Sequence, residues 1–99
     1  MNKLLIAAAL AAAPFAALAQ DSPAARSLAA TCASCHGTDG RSVTQELVAL
    51  AGLPKDHIVS QMKAFRDGSR PATVMHQIAK GYSDQQIELV ADYFSRRPR

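Results

Sequence analysis

A chain of 99 residues holds one small domain, and a formal charge of +3, from 11 Lys and Arg against 8 Asp and Glu, is too weak to argue for a nucleic-acid partner. The basic residues are dispersed except for Arg96, Arg97 and Arg99, which read as the solvated C-terminus of a helix. With only two cysteines, Cys32 and Cys35, a structural zinc site of four ligands lacks a second cysteine pair.

Residues 1–19 read as a cleaved signal peptide. Lys3 supplies a positive start, Leu4 to Leu18 form an uncharged Leu/Ala run, and Ala17-Leu18-Ala19 is a small-residue cleavage site. The run is broken by Pro14 and is shorter than the ~20 residues that cross a bilayer, which disfavours a retained anchor. Residues 20–99 are therefore expected to be exported to the periplasm, with no membrane span after cleavage. Removing Lys3 leaves 10 basic against 8 acidic side chains, a charge of +2. A domain this small buries only ~60–65% of its unfolded surface and usually needs a staple.

The mature stretch carries no internal repeat. Ser22 before Pro23 reads as an N-cap with proline at the first helical position, and Ala24, Ala25, Leu28, Ala29 and Cys32 continue a short first helix. At its end stands Cys32-Ala33-Ser34-Cys35-His36. Thiols at i and i+3 share one face of a helical turn, so both sulfurs can meet the two vinyl groups of one porphyrin, with His36 following as a neutral imidazole ligand to iron. The pattern predicts one covalent haem c held by Cys32 and Cys35, with His36 as axial ligand. A disulfide across so short a loop gives little entropic stabilisation. A thioredoxin-like pair needs a βαβ context that the sequence lacks.

After the motif, Gly37 to Gly40 contain an Asp-Gly turn signal, and residues 41–52 show no clear period beyond a candidate helical turn over Glu46 to Leu50. Pro54 opens a helix in which Ile58, Met62 and Phe65 keep helical spacing, and Gly68 ends it. Arg70-Pro71 turns the chain, and Val74 with Ile78 predicts a brief helix stopping at Gly81. Ser83-Asp84-Gln85-Gln86 is a capping box, flanked by Tyr82 and Ile87 as a hydrophobic staple, and the helix it starts carries Ile87, Val90, Ala91 and Phe94 on one stripe. No segment alternates as a strand does, so the fold class is all-α.

The second axial ligand has four candidates. Met62 is in register with Ile58 and Phe65 and reads as core, while His57 lies off that stripe and reads as surface. Met75 follows the Pro71 loop far enough from His36 to return to the opposite haem face, and a thioether there raises the reduction potential. Its neighbour His76 gives a bis-histidine alternative, and an open sixth position gives a haem enzyme or sensor instead of a carrier.

These residues bear a resemblance. Cys32 to Gly40, then Leu50-Ala51-Gly52, resemble the small class I cytochromes c of Gram-negative bacteria. Arg70-Pro71-Ala72-Thr73-Val74-Met75 and Ile78 to Asp84 resemble the haem-binding cytochrome subunit of flavocytochrome c sulfide dehydrogenase and similar cytochromes of sulfur oxidation. The resemblance implies four or five short helices wrapped around one haem, with the terminal helices crossing and the axial methionine at Met75. It implies an electron-transfer protein, not an enzyme, that passes single electrons between redox partners in the periplasm. The alternative is a permanent subunit fed by a flavoprotein. In one respect the chain departs from the pattern: relatives often place a proline before Leu-Ala-Gly whose carbonyl orients the axial histidine, and residues 44–50 contain none.

Overall fold

The computed structural model describes residues 21–99; the expected signal peptide, residues 1–19, lies outside them. Five helices occur in the order α1 (Pro23–Ala30), α2 (Ala33–His36), α3 (Lys55–Asp67), α4 (Met75–Ala79) and α5 (Asp84–Ser95), with a 3-10 turn over Thr38–Gly40. No strand occurs among the described residues, as the absence of period-two alternation predicts.

Each helix starts and stops for a local reason. Ser22 Oγ accepts the Ala25 N–H at 3.1 Å, with Pro23 in the first turn where its missing N–H costs nothing. Pro54 precedes α3, and Gly68, in the left-handed region at φ 85°, stops it. Ser83 Oγ accepts from Gln86 N at 3.2 Å while Gln86 Oε1 accepts from Ser83 N at 3.0 Å, a reciprocal capping box opening α5.

The core lies where α1 and α3 pack on α5. Ala25 and Ala29 of α1, Ile58 of α3, and Val90, Ala91, Tyr93 and Phe94 of α5 form one buried cluster, with Leu28, Cys32, Leu50, Leu53, Val59 and Met62 packed partly buried against it. Small alanines on α1 let the first and last helices approach closely. The expected crossing partners, N-terminal and C-terminal helix, therefore form the centre of the fold. Helix α4 packs instead against α3.

Two expectations need correction. Glu46 to Leu50 do not form a helical turn: residues 41–50 are irregular and mostly exposed, because the ends of the segment bond to the 37–40 turn instead of to each other. Leu50 N and Ala51 N both donate to the Gly40 carbonyl, at 2.8 and 3.1 Å, and Gly52 N donates to the Phe94 carbonyl at 2.9 Å. The C-terminal arginines are likewise not a simple solvated tail. Arg97 pairs with Asp21 and lies over the Tyr93 ring at 4.3 Å, Arg96 pairs with Asp92, and Arg99 lies against Gly52. Arg97 thereby ties Asp21, at the start of the described residues, to the end of α5.

Candidate functional site

The two thiols and the histidine come together on one turn, as their spacing predicts. Helix α1 ends at Ala30, Thr31 caps it, and the chain restarts as α2, whose His36 N–H and Cys35 N–H both donate to the Cys32 carbonyl at 2.9 and 3.3 Å. The break at Thr31 separates the motif from α1, so the pattern sits on its own short helix. Both thiols are free, Cys32 half-buried against the core and Cys35 exposed. Burial pushes the Cys32 thiol above its ordinary value, outweighing the opposing hydrogen bond with Thr31.

The His36 ring is fixed by a hydrogen bond from Nδ1 to the Val48 carbonyl oxygen, 2.7 Å long. A carbonyl only accepts, so Nδ1 carries a proton, and in the neutral tautomer Nε2 is the nitrogen left to ligate a metal. This is the orienting acceptor that the resemblance assigns to a proline. The chain supplies it from Val48, two residues before Leu50-Ala51-Gly52. A main-chain carbonyl leaves no mark in a sequence, so nothing in residues 44–50 could have singled it out.

Met75 is half-buried and is the first residue of α4, behind a Val74 whose side chain is exposed. The turn after α4 is tied to the motif: Tyr82 Oη and Thr31 Oγ1 lie 2.9 Å apart, next to Cys32. Arg66 of α3 donates to the Tyr82 carbonyl at 3.2 Å and to Asp84 at 2.5 Å, locking the same junction. That ion pair holds the Asp84 carboxyl below the usual carboxylate range. His76 takes a different direction from Met75, as successive helical residues must. It lines a cleft of about 320 Å³ between α3 and the 70–72 loop, and its Nδ1 is buried without a hydrogen-bond partner. His57 is exposed, and Met62 packs partly buried against the core, as their positions in the helical pattern imply.

Beside His36 and beside Met75 the chain exposes apolar side chains. Val48 is 61% exposed beside His36, Val74 is 55% exposed next to Met75, and Leu47 and Ile78 are also exposed. Two thiols one turn apart, a neutral imidazole with a free Nε2, a thioether and uncovered aliphatic side chains form a donor set that fits a flat, apolar, iron-bearing ring. They do not fit a protein-only metal site, since no group of three or more His, Cys, Asp or Glu side chains could hold an ion among the described residues.

Sequence reasoning missed the polar support behind this turn. Tyr93 of α5, 8% exposed, donates from its hydroxyl to Asp39 Oδ1 at 2.6 Å, and Asp39 stands in the left-handed region at φ 54°. The bond to Asp39, reinforced by burial, raises the Tyr93 hydroxyl above its ordinary value. The Asp-Gly signal announced the turn but not its partner more than fifty residues away.

The cytochrome c family model matches residues 22–96. The chain is 42% identical over 67 residues to the cytochrome subunit of sulfide dehydrogenase of Chlorobaculum tepidum, covering 68% of this chain and 60% of that protein. It is 38% identical over 80 residues to cytochrome c-554(548) of Halomonas halodenitrificans, covering 78% of this chain and 96% of that one. The fold matches a solved structure of Acidithiobacillus ferrooxidans cytochrome c4 with a TM-score of 0.65 and 32% identity, over 74% of this chain and 49% of that one. The matched stretch thus spans 60% of the first relative and half of the cytochrome c4 chain. With the family model matching residues 22–96 and likenesses to known cytochromes in both sequence and fold, the chain belongs to the cytochrome c family.

Proposed function

We propose that this protein is a periplasmic monohaem cytochrome c carrying single electrons between redox partners, in sulfide or sulfur oxidation. The observation that carries the reading is the His36 ring, locked through Nδ1 to Val48 on the same turn as two free thiols. Membership of the family brings haem c and electron transfer in place of catalysis by the chain itself. The bound group supplies one-electron iron chemistry. Cys32 and Cys35 would hold it as thioethers. His36 Nε2 would supply one ligand to the iron while Nδ1 keeps its proton on the Val48 carbonyl, which strengthens the imidazole as a donor. Met75 would supply the second side-chain ligand. With two side chains on the iron, the chemistry the group would supply is electron transfer without substrate binding at the metal.

The single Cys-Ala-Ser-Cys-His motif in residues 1–99 supports one haem for this stretch. The signal-peptide reading of residues 1–19 supports export. No helix among the described residues is long and apolar enough to cross a membrane. A second reading, a permanent cytochrome subunit receiving electrons from a flavoprotein sulfide dehydrogenase chain, is favoured by the 42% identity to such a subunit. Expression in a host that matures c-type cytochromes tests the first reading. The expected product is red, shows a Soret band and carries one covalent haem by mass. A colourless product of unmodified mass overturns the reading. Co-purification with a flavoprotein from the native host selects the subunit; a lone monomer selects the carrier.

A further inference from the structure

The His36–Val48 hydrogen bond spans a loop that has little support of its own. Residues 43–49 are exposed, and Val43 is almost fully so. Just beyond Val48 the loop is held by the Gly40 carbonyl, which accepts from both Leu50 and Ala51, two and three residues further on. The position of the Val48 carbonyl therefore depends on where Gly40 stands.

Gly40 is held by α5. Its α-carbon faces Phe94 so closely that an added Cβ would lie 2.8 Å from the ring. The preceding Asp39 is kept in the left-handed region, unusual for a residue with a side chain, by the hydroxyl of Tyr93 at 2.6 Å. Tyr93 itself cannot swing. It meets Phe94 edge-on at 5.3 Å and 86°, and the Arg97 guanidinium covers its face at 4.3 Å while pairing with Asp21. The carbonyl of Phe94 completes the frame by accepting from Gly52 on the far side of the loop.

We propose that Tyr93 is a positioning residue for the His36 ring: its hydroxyl fixes the Asp39-Gly40 turn, the turn fixes Leu50 and Ala51, and these set the Val48 carbonyl against Nδ1. The chain of contacts runs from α5 to the imidazole through hydrogen bonds at Tyr93–Asp39, Gly40–Leu50 and Val48–His36, joined by short covalent stretches, Asp39-Gly40 and Val48-Ala49-Leu50. The inference deepens the haem reading by naming what orients the ligand, and it rests on that reading for its effect on the iron.

The test measures solvent exchange of the His36 Nδ1 proton by NMR in the reduced holoprotein. Tyr93→Phe, which removes the hydroxyl and keeps the ring, is expected to speed exchange about tenfold over wild type. Asp39→Asn keeps an oxygen acceptor for Tyr93 and tolerates the left-handed backbone, so it is expected to stay within about twofold of wild type. Ser83→Ala, a destabilising change at the far end of α5, controls for general loosening. Where Tyr93→Phe gives no folded holoprotein, Asp39→Ala removes the same bond from the loop side and takes its place. Exchange in Tyr93→Phe or Asp39→Ala no faster than in Ser83→Ala overturns the proposal, as does Asp39→Asn exchanging as fast as Tyr93→Phe. A normal Soret band with unchanged exchange removes the positioning role and leaves the haem reading standing; a wild-type chain without a Soret band removes both.

Discussion

The His36 imidazole and the Val48 carbonyl are joined by a 2.7 Å hydrogen bond across eleven intervening residues, and this bond leaves Nε2 as the nitrogen available to iron. Because the acceptor belongs to the backbone, it survives a change of side chain and fails on a change of register. Val48→Pro keeps the carbonyl and is expected to leave the His36 Nδ1–H resonance and the reduction potential near wild type. Deletion of Val48 moves the carbonyl out of line and is expected to lose the protected proton. Equal loss in both variants contradicts the assignment of Val48 as the acceptor.

On the proposed attachment the two thiols are separate tethers for the haem. A Cys32→Ala or Cys35→Ala protein is expected to keep haem through the remaining sulfur, so acid–organic extraction leaves the colour with the protein. In the double variant the colour moves to the solvent. Mass spectrometry of the extracted chains checks both statements, and an extractable haem in the wild type contradicts them.

Met75 and His76 are adjacent, and only one lines the cleft beside α3. Met75→Ala is expected to abolish the weak long-wavelength band of iron–thioether ligation, to lower the reduction potential and to open the iron to carbon monoxide. His76→Ala is expected to leave the band in place. The reverse pattern identifies His76 as the ligand and removes the thioether.

Much of this could be read in advance, and the division has a physical cause. The helix starts at Ser22 and Ser83, the stop at Gly68 and the stripe Ile87, Val90, Ala91 and Phe94 are written in side chains that act within one or two turns of themselves. The thiols and His36 are legible for the same reason, lying within five residues. The acceptor for His36 was not, since every residue type offers the same carbonyl. Nor was the bond of Tyr93 to Asp39, or of Arg97 to Asp21, because each needs the α1–α5 packing before its partners meet. The candidate turn over Glu46 to Leu50 failed where the Leu50 N–H bonds to the distant Gly40 carbonyl in place of the local helical one.

Stability depends on the start of α5. Ser83→Ala removes the oxygen that accepts from Gln86 and is expected to cost about 1 kcal/mol. Gly40→Ala forces a Cβ against Phe94 and the Ala51 nitrogen in a left-handed backbone, and is expected to cost more, about 2–4 kcal/mol. Denaturant unfolding of both holoproteins gives the order directly; a Gly40→Ala variant as stable as wild type removes the close contact.

The Tyr93 hydroxyl sets an alkaline limit. Its bond to Asp39 and its burial favour the protonated form in the folded state, raising it above the ordinary value of 10.0. A group raised on folding gives its full contribution below the unfolded value and loses it as pH rises through the folded one. Holoprotein stability is therefore expected to fall above about pH 10, with that part of the slope absent in Tyr93→Phe. Matching slopes in the two proteins between about pH 9 and 11 contradict the bond.

Helix α1 and helix α5 pack together although more than fifty residues separate Ala30 from Asp84. Closing so wide a ring carries an entropic cost that local pieces do not meet, so the centre of the fold assembles late. The sulfurs of Cys32 and Cys35 precede α5 in the chain, and Cys32 packs against the cluster that α5 completes while Cys35 stays exposed. That delay is a time window in which an assembly apparatus can reach both sulfurs before α5 packs beside them.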